Sequence, residues 1–270
     1  MDTSTRAMSS YCQHKQAVAQ RFSAAATTYD RVAHLQREVG TDLIGLLPRP
    51  IAAAPWVLDL GAGTGYFSKK IKAMYPQSTL VAVDLAQGML QYAAQQQCAD
   101  AYLCADMEQI PLRTASVDII FSSLAVQWSL NFAQTLNECA RILRPGGYFL
   151  FSSVLEGSLY ELKNSWAQVD DAQHVNHFRT ASAYTQLCQA SPLAIQHLHT
   201  QEYVYFYDHL RQLRHELKQL GANHLHAGRR PHLAAKDRLQ RLQAAYDTYR
   251  RPQGLPATWH IIHLLLRKPS

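Results

Sequence analysis

The stretch Val57-Leu58-Asp59-Leu60-Gly61-Ala62-Gly63-Thr64-Gly65-Tyr66-Phe67 decides how this chain is read. A short apolar run holds an acid near its end. Three glycines follow at alternate positions, and a segment of helical character begins at Tyr66. This is the pattern of a β-strand entering a tight turn that opens a helix. Glycine has no Cβ, so the backbone N–H groups of such a turn can come close to a ligand.

The surrounding pattern is α/β. Strands are predicted at 56–60, 79–84, 101–105, 117–122 and 148–154, with helices at 66–74, 86–97 and 130–143. Arg144-Pro145-Gly146-Gly147 reads as a helix stop and turn. Strands alternating with helices at these lengths build a parallel sheet covered on both faces. Upstream, helices are predicted at 15–22 and 29–47, the second ended by Pro48-Arg49-Pro50. Downstream come helices at 158–169, 182–189, 209–220 and 233–250, a loop at 170–179, and strands at 193–207 and 258–266.

Composition narrows the class. The 270 residues are 47% hydrophobic and 17% charged, which suits a globular protein rather than a disordered one. No apolar run approaches the ~20 residues of a membrane span. The polar N-terminus has no apolar core of a secretory signal. Cys12, Cys98, Cys104, Cys139 and Cys188 show no metal-binding spacing and read as reduced thiols of a cytoplasmic protein. The net charge is +6. Its excess gathers late, at Arg211, Arg214, Lys218, Arg229 and Arg230 among others, and favours an acidic partner. Tyr246 and Tyr249 alone interleave this basic region, too few for a nucleic-acid stacking platform.

The glycine spacing is G-x-G-x-G, not the G-x-G-x-x-G of a dinucleotide fold. Two acids sharpen it. Asp84 closes the second strand, where a carboxylate can accept both hydroxyls of a ribose. Asp106, followed by Met107, closes the third, where it can accept from an adenine amino group. Asp59 either orders the turn or reaches a ligand amino group. Each acid alone reads equally as a helix N-cap. Three in chain order beside the turn favour a ligand at the carboxyl ends of parallel strands.

Those motifs, LDLGAGTGYFS, VAVDLAQGML, CADMEQIPLRTASVDIIFSSLAVQW and RILRPGGYFLFSS, resemble the class I S-adenosylmethionine-dependent methyltransferases over about residues 55 to 155. The resemblance implies a Rossmann-like seven-stranded sheet, its last strand antiparallel and inserted between the fifth and sixth, with N-terminal helices and a helical cap. It implies that Asp59, Gly61 and Gly63 contact the methionine end of S-adenosyl-L-methionine, and Asp84 its ribose. Met89 and Met107 then flank the adenine, Asp106 takes its amino group, and Ser122, Ser123 and Leu124 lie beside the sulfonium. The implied organisation is a helical lid (1–50), a cofactor-binding core (51–156), core completion with cap insertions (157–257), and a final strand and tail (258–270).

A narrower resemblance lies outside that core. Val18-Ala19-Gln20-Arg21-Phe22-Ser23 with Ala26, Tyr29, Asp30 and Leu35-Gln36 is similar to the malonyl-[acyl-carrier protein] O-methyltransferases of biotin synthesis. So are Gly157-Ser158-Leu159-Tyr160-Glu161-Leu162, Trp166, Val169-Asp170, His174-Val175-Asn176-x-Phe178 and Leu217-Lys218-x-Leu220-Gly221-Ala222-Asn223-His224. It implies methyl transfer to the free carboxyl of a malonyl thioester on acyl carrier protein. Arg179 is the first candidate to recognise that carboxylate, or else a solvated surface arginine. His174 and Asn176 are candidates to shape the acceptor pocket, without the spacing of a metal site. Tyr29 either closes over the cofactor or packs in the core, and Trp128 either lines the acceptor pocket with Gln127 or is a core aromatic. The basic cap side chains Arg211, Arg214, Lys218, Arg229 and Arg230 are candidates to receive the acidic carrier. A small-molecule C- or O-methyltransferase acting on a quinone precursor shares every core motif. A non-catalytic cofactor-binding scaffold is the third reading.

Overall fold

A computed structural model describes residues 3–47, 52–220 and 235–270. In chain order it holds α1 (Thr3–Ala25), α2 (Tyr29–Val32), α3 (His34–Gly45), β1 (Trp56–Leu60), α4 (Tyr66–Met74), β2 (Thr79–Asp84), α5 (Gln87–Gln95), β3 (Ala101–Cys104) and β4 (Val117–Ser123). There follow a 3-10 turn (Val126–Trp128), α6 (Phe132–Ile142), β5 (Leu143–Val154), α7 (Tyr160–Ala167), α8 (Ala181–Gln189), β6 (Ala194–Tyr207), α9 (Leu210–Gln219), α10 (Ala235–Asp247) and β7 (Leu255–Arg267). No helix among the described residues is long and apolar enough to cross a membrane.

The seven strands form one sheet in the order β3-β2-β1-β4-β5-β7-β6. The first five run parallel, and β7 lies antiparallel between β5 and β6. The expected topology is therefore present. The strand order reverses between β1 and β4, and a crevice opens there at the carboxyl ends of the strands. The glycine turn after β1 sits in that crevice.

Strand alternation divides the core between the two faces. Val57, Leu80, Ile119, Phe121 and Leu150 face α3 and α4 with Leu43 and Ile71. Their neighbours Leu58, Leu60, Val81, Val83, Ile120, Phe149 and Phe151 face α6 and α8 with Phe132, Leu136 and Tyr184. Phe132 packs edge-on against Phe151 and Tyr184, with centroids 5.2 and 5.1 Å apart. Each fully buried Phe or Leu contributes roughly 1.5–3 kcal/mol.

Three local expectations change. The polar N-terminus is helical from Thr3, where only 15–22 was expected. Its far end is held by α5: Gly88 N donates to Ser23 Oγ at 3.1 Å, and a Cβ on Gly88 would meet Ser23 at 2.8 Å. The helix expected at 29–47 breaks at Ala33 (φ −82°, ψ 45°) into α2 and α3. The Arg144–Gly147 segment, expected as a turn, already belongs to β5, because Leu143 pairs with Val117 before the register shifts.

Edge strand β6 anchors two helices with one row of tyrosines. Tyr203 donates to Asp42 (2.6 Å), Tyr205 to Glu38, and Tyr207 to Glu216 (2.9 Å). Residues two apart on a strand share a face, so this row ties α3 and α9 across the same side of the sheet. Burial and the neighbouring carboxylates push all three phenols well above their usual range.

Candidate active site

The glycine turn is fixed from below by β2. Gly61 N and Ala62 N both donate to Val83 O, at 2.7 and 3.0 Å. Gly61, Gly63 and Gly65 all have positive φ, at 76°, 56° and 79°. Two are also crowded: a Cβ on Gly61 would lie 2.3 Å from Ala125 Cβ, and one on Gly65 2.5 Å from Cys98 Cβ. At Gly63 nothing lies within 4 Å of that position. The turn therefore presents its open side at Gly63, as a turn that receives a ligand must.

The acids surround this opening in different ways. Asp59 is buried and accepts from Ser68 Oγ at 2.6 Å. Burial pushes its carboxyl up to about 7, against the pull of the Ser68 hydroxyl. Asp84 accepts from Gly63 N through Oδ2 and from Ala86 N through Oδ1, both at 2.8 Å. It thus ties the turn to Ala86, the residue that precedes α5. Burial raises its pKa, partly offset by these backbone donors. Asp84 also lines the cleft. Asp106 accepts from Glu108 N (3.0 Å) and pairs with Lys15 (2.5 Å).

One cleft gathers most of the expected cofactor residues: Gly61, Gly63, Asp84, Met89, Asp106, Met107 and Leu124, under a wall from α1 made of Lys15, Val18, Ala19 and Phe22. Asp59 lines the adjoining space beneath the turn. Ser122 is a correction. It is fully buried, and its hydroxyl donates to Leu60 O at 2.7 Å. Strand alternation turns Ser122 into the sheet and gives the cleft to Ser123. Leu124 follows in a left-handed conformation (φ 49°), which a leucine adopts only when held there. Its N–H donates to Ser152 Oγ and O, at 3.1 and 3.2 Å.

A second, largely apolar cavity adjoins the first. Phe22, Tyr29, Leu124 and Trp128 line both. Phe22 and Trp128 meet edge to face at 5.3 Å, and Tyr29 lies 6.4 Å from Phe22. Burial and the charges of Asp84 and Asp30 hold the Tyr29 phenol protonated. Phe22, Tyr29, Leu124 and Trp128 thus form the partition between the two cavities. The second cavity continues past Leu35, Val154, Leu162, Phe178, Leu217 and Leu220, with His174 and Asn176 among its polar members.

His174 is built into a bracket. Its ring stacks on Trp166 at 3.7 Å and its Nε2 lies 2.8 Å from Asp170 Oδ1. Arg238 of α10 pairs with Asp170 and lies over Trp166 at 5.4 Å. Against its own burial, these partners hold the Asp170 carboxyl below its usual range. Among the described residues no cluster of His, Cys, Asp or Glu could hold a metal ion.

Arg179 is the second correction. It does not line the second cavity. Its guanidinium lies 5.8 Å from the rings of both Phe132 and Tyr184, and Nη2 donates to Ser129 O at 3.3 Å. Cation–π contact with these core rings holds it outside that cavity. Of the basic cap residues, Arg211, Arg214 and Lys218 lie on the exposed side of α9, opposite Leu210, Leu213 and Leu217. Arg229 and Arg230 lie outside the described residues, as do Asn223 and His224.

Lys15 and Glu108 were not foreseen. Glu108 Oε2 receives Tyr11 and Lys15, while Oε1 receives Ser129 Oγ, Leu130 N and Asn131 N. Burial works against its charge, but these donors, Lys15 foremost, hold its pKa at about 2. The signal was present in the spacing: positions 15, 18, 19 and 22 share one helix face.

Known proteins of similar sequence and fold show the family. A family described as "Methyltransferase domain" matches residues 58–151. The chain is 43% identical over 249 residues to the malonyl-[acyl-carrier protein] O-methyltransferase of Yersinia pestis, covering 92% of this chain and 90% of that protein. It is 42% identical to the protein of the same name from Serratia marcescens, covering 93% and 94%. It is also 42% identical to the biotin biosynthesis bifunctional protein BioHC of Cellvibrio japonicus, covering 94% of this chain but only 50% of that one. Among solved structures the YcgJ protein of Bacillus subtilis shares the fold, with a TM-score of 0.58 at 21% identity over 87% of this chain and 99% of its own. The chain belongs to the malonyl-[acyl-carrier protein] O-methyltransferase family.

Proposed function

We propose that this enzyme methylates the free carboxyl of a malonyl group carried as a thioester on acyl carrier protein, an early step of biotin synthesis. The observation that carries the reading is the shared wall of Phe22, Tyr29, Leu124 and Trp128 between the cofactor cleft and an apolar cavity. S-adenosyl-L-methionine supplies an electrophilic methyl group on a sulfonium. A carboxylate acceptor is already ionised at neutral pH, so the protein's task is alignment and exclusion of water rather than proton removal. Positioning of this kind can supply about 7–11 kcal/mol.

The residues divide that task. Phe22, Tyr29 and Trp128 keep water from the junction. Ser152 holds Leu124 in its left-handed conformation, and Gln127 Nε2 donates to Leu124 O at 2.6 Å. The wall is thereby fixed from two sides. α9 links the cavity to a carrier: Leu217 and Leu220 line the inside, while Arg211, Arg214 and Lys218 face outward for an acidic partner. The reading places the enzyme in the cytoplasm, where its five free cysteines stay reduced.

The test is incubation with methyl-labelled S-adenosyl-L-methionine and either malonyl-acyl carrier protein or malonyl-coenzyme A. Label on the malonyl group is expected. Arg211→Glu with Arg214→Glu should raise KM for the carrier substrate more than for the coenzyme A substrate. Transfer to neither malonyl thioester, with transfer to a quinone precursor, would replace this reading with the small-molecule one.

A further inference from the structure

A carboxylate acceptor poses a problem for the second cavity, which is largely apolar. Taking such a charge out of water is costly unless a counter-charge meets it. Arg179, held on Phe132 and Tyr184, does not supply one. Among the described residues lining the cavity there is no arginine and no lysine. His174 is the one side chain of that lining able to take a positive charge.

The ring is mounted for this. Asp170 Oδ1 accepts from Ala172 N at 2.9 Å and lies 2.8 Å from His174 Nε2, while Oδ2 accepts from Arg238. Against its burial, His174, Ala172 N and Arg238 keep this carboxyl ionised, below its usual range. An ionised carboxylate can only accept, so Nε2 carries the hydrogen between them. Trp166 fixes the plane of the ring, stacked 12° from parallel at 3.7 Å. Nδ1 has no hydrogen-bond partner among the described residues and is the nitrogen left for a ligand. Charge then selects that ligand. Asp170 is already balanced by Arg238, so a second proton on His174 leaves one net positive charge at the cavity wall. A single carboxylate cancels it, and an uncharged group does not. The His174 side chain is only 16% exposed, so salt and water screen such a pair weakly.

We infer that His174 recognises the free carboxyl of the acceptor, donating from Nδ1 to the carboxylate oxygen that does not attack, with Asp170 and Arg238 positioning the ring. The inference rests on the malonyl reading above. No proton moves in the transfer. The attacking oxygen bonds to the methyl carbon as the carbon–sulfur bond breaks, and that electron pair leaves with sulfur. The negative charge of the carboxylate and the positive charge of the sulfonium vanish together. The ester so formed no longer cancels the imidazolium, so the contact that draws the substrate in also lets the product go.

The test compares two ligands on the intact protein by calorimetry: malonyl-acyl carrier protein and its methyl ester. S-adenosyl-L-homocysteine replaces the methyl donor, so no transfer occurs. The wild type should bind the malonyl form about 10- to 100-fold more tightly than the ester. His174→Phe keeps a ring to stack on Trp166 and should abolish that preference while binding S-adenosyl-L-homocysteine normally. Should it lose that ligand too, His174→Gln carries the same comparison and should lose most of the preference. A preference that survives both substitutions would overturn the inference, as would equal weakening of both carrier ligands with their ratio kept. Failure of the wild type to methylate any malonyl thioester is a separate result, and it would remove the malonyl reading itself.

Discussion

Lys15 of α1 forms an ion pair with Asp106, 2.5 Å away just beyond β3, and so closes the N-terminal helix over the cofactor cleft. The same ammonium lies 2.7 Å from Glu108. With side-chain exposures of 13% for Lys15 and 7% for Glu108, this contact is screened far less than a surface pair. Lys15→Met would leave two carboxylates facing each other. The expected result is a loss of about 2 kcal/mol and faster amide exchange across residues 11–25. Unchanged exchange there would mean that α1 is held by Ser23 and the apolar contacts alone.

The three glycines are not equivalent. Gly61→Ala places a Cβ against Ala125 at positive φ, so both folding and cofactor binding should suffer. Gly63→Ala meets only the conformational cost, about 1–2 kcal/mol, because its space is open. It should keep a folded protein and still weaken the cofactor sharply. Comparing thermal midpoints with dissociation constants for the two variants tests this ordering.

Asp59 gives a pH signature. Its folded pKa of about 7 lies above its ordinary 3.8. Between those values the folded state keeps a proton that the unfolded chain has lost. Its contribution to stability therefore falls as pH rises from about 4 to about 7 and is level above. Glu108 works in the opposite sense, contributing stability above its ordinary 4.5 that is lost as pH falls toward about 2. Denaturant midpoints of wild type and Asp59→Asn at about pH 5 and about pH 8 separate the two. The wild type should lose more between these points, and parallel changes would count against the buried acid.

The bracket of Trp166, Asp170, His174 and Arg238 joins the wall of the second cavity to α10. Arg238→Met removes the pair and leaves the cofactor cleft untouched. A several-fold rise in the acceptor KM with an unchanged cofactor dissociation constant is the expected outcome, read by steady-state kinetics and calorimetry. Equal effects on both would place the bracket's role in the fold as a whole.

Sequence pattern carried the sheet far. β1, β2, β4 and β7 were visible as apolar runs, and the antiparallel last strand followed from the family resemblance. What escaped depended on orientation. Ser122 and Ser123 are adjacent, and only the register of β4 against β1 decides which one enters the cleft. Arg179 sat in an irregular loop, where no periodicity shows that it turns onto Phe132 and Tyr184. Lys15 stands in the expected helix at 15–22, but its partners Asp106 and Glu108 lie 91 and 93 residues away in the chain. The break at Ala33 between α2 and α3 carries neither Gly nor Pro to announce it.

The acceptor is the central claim, and the mass of the carrier protein tests it most directly. Malonyl-acyl carrier protein incubated with the enzyme and S-adenosyl-L-methionine should gain the mass of one methyl ester and lose it again in mild alkali. Acetyl-acyl carrier protein, which lacks the free carboxyl, should gain nothing. A gain that survives alkali, or an equal gain on the acetyl carrier, would contradict carboxyl methylation.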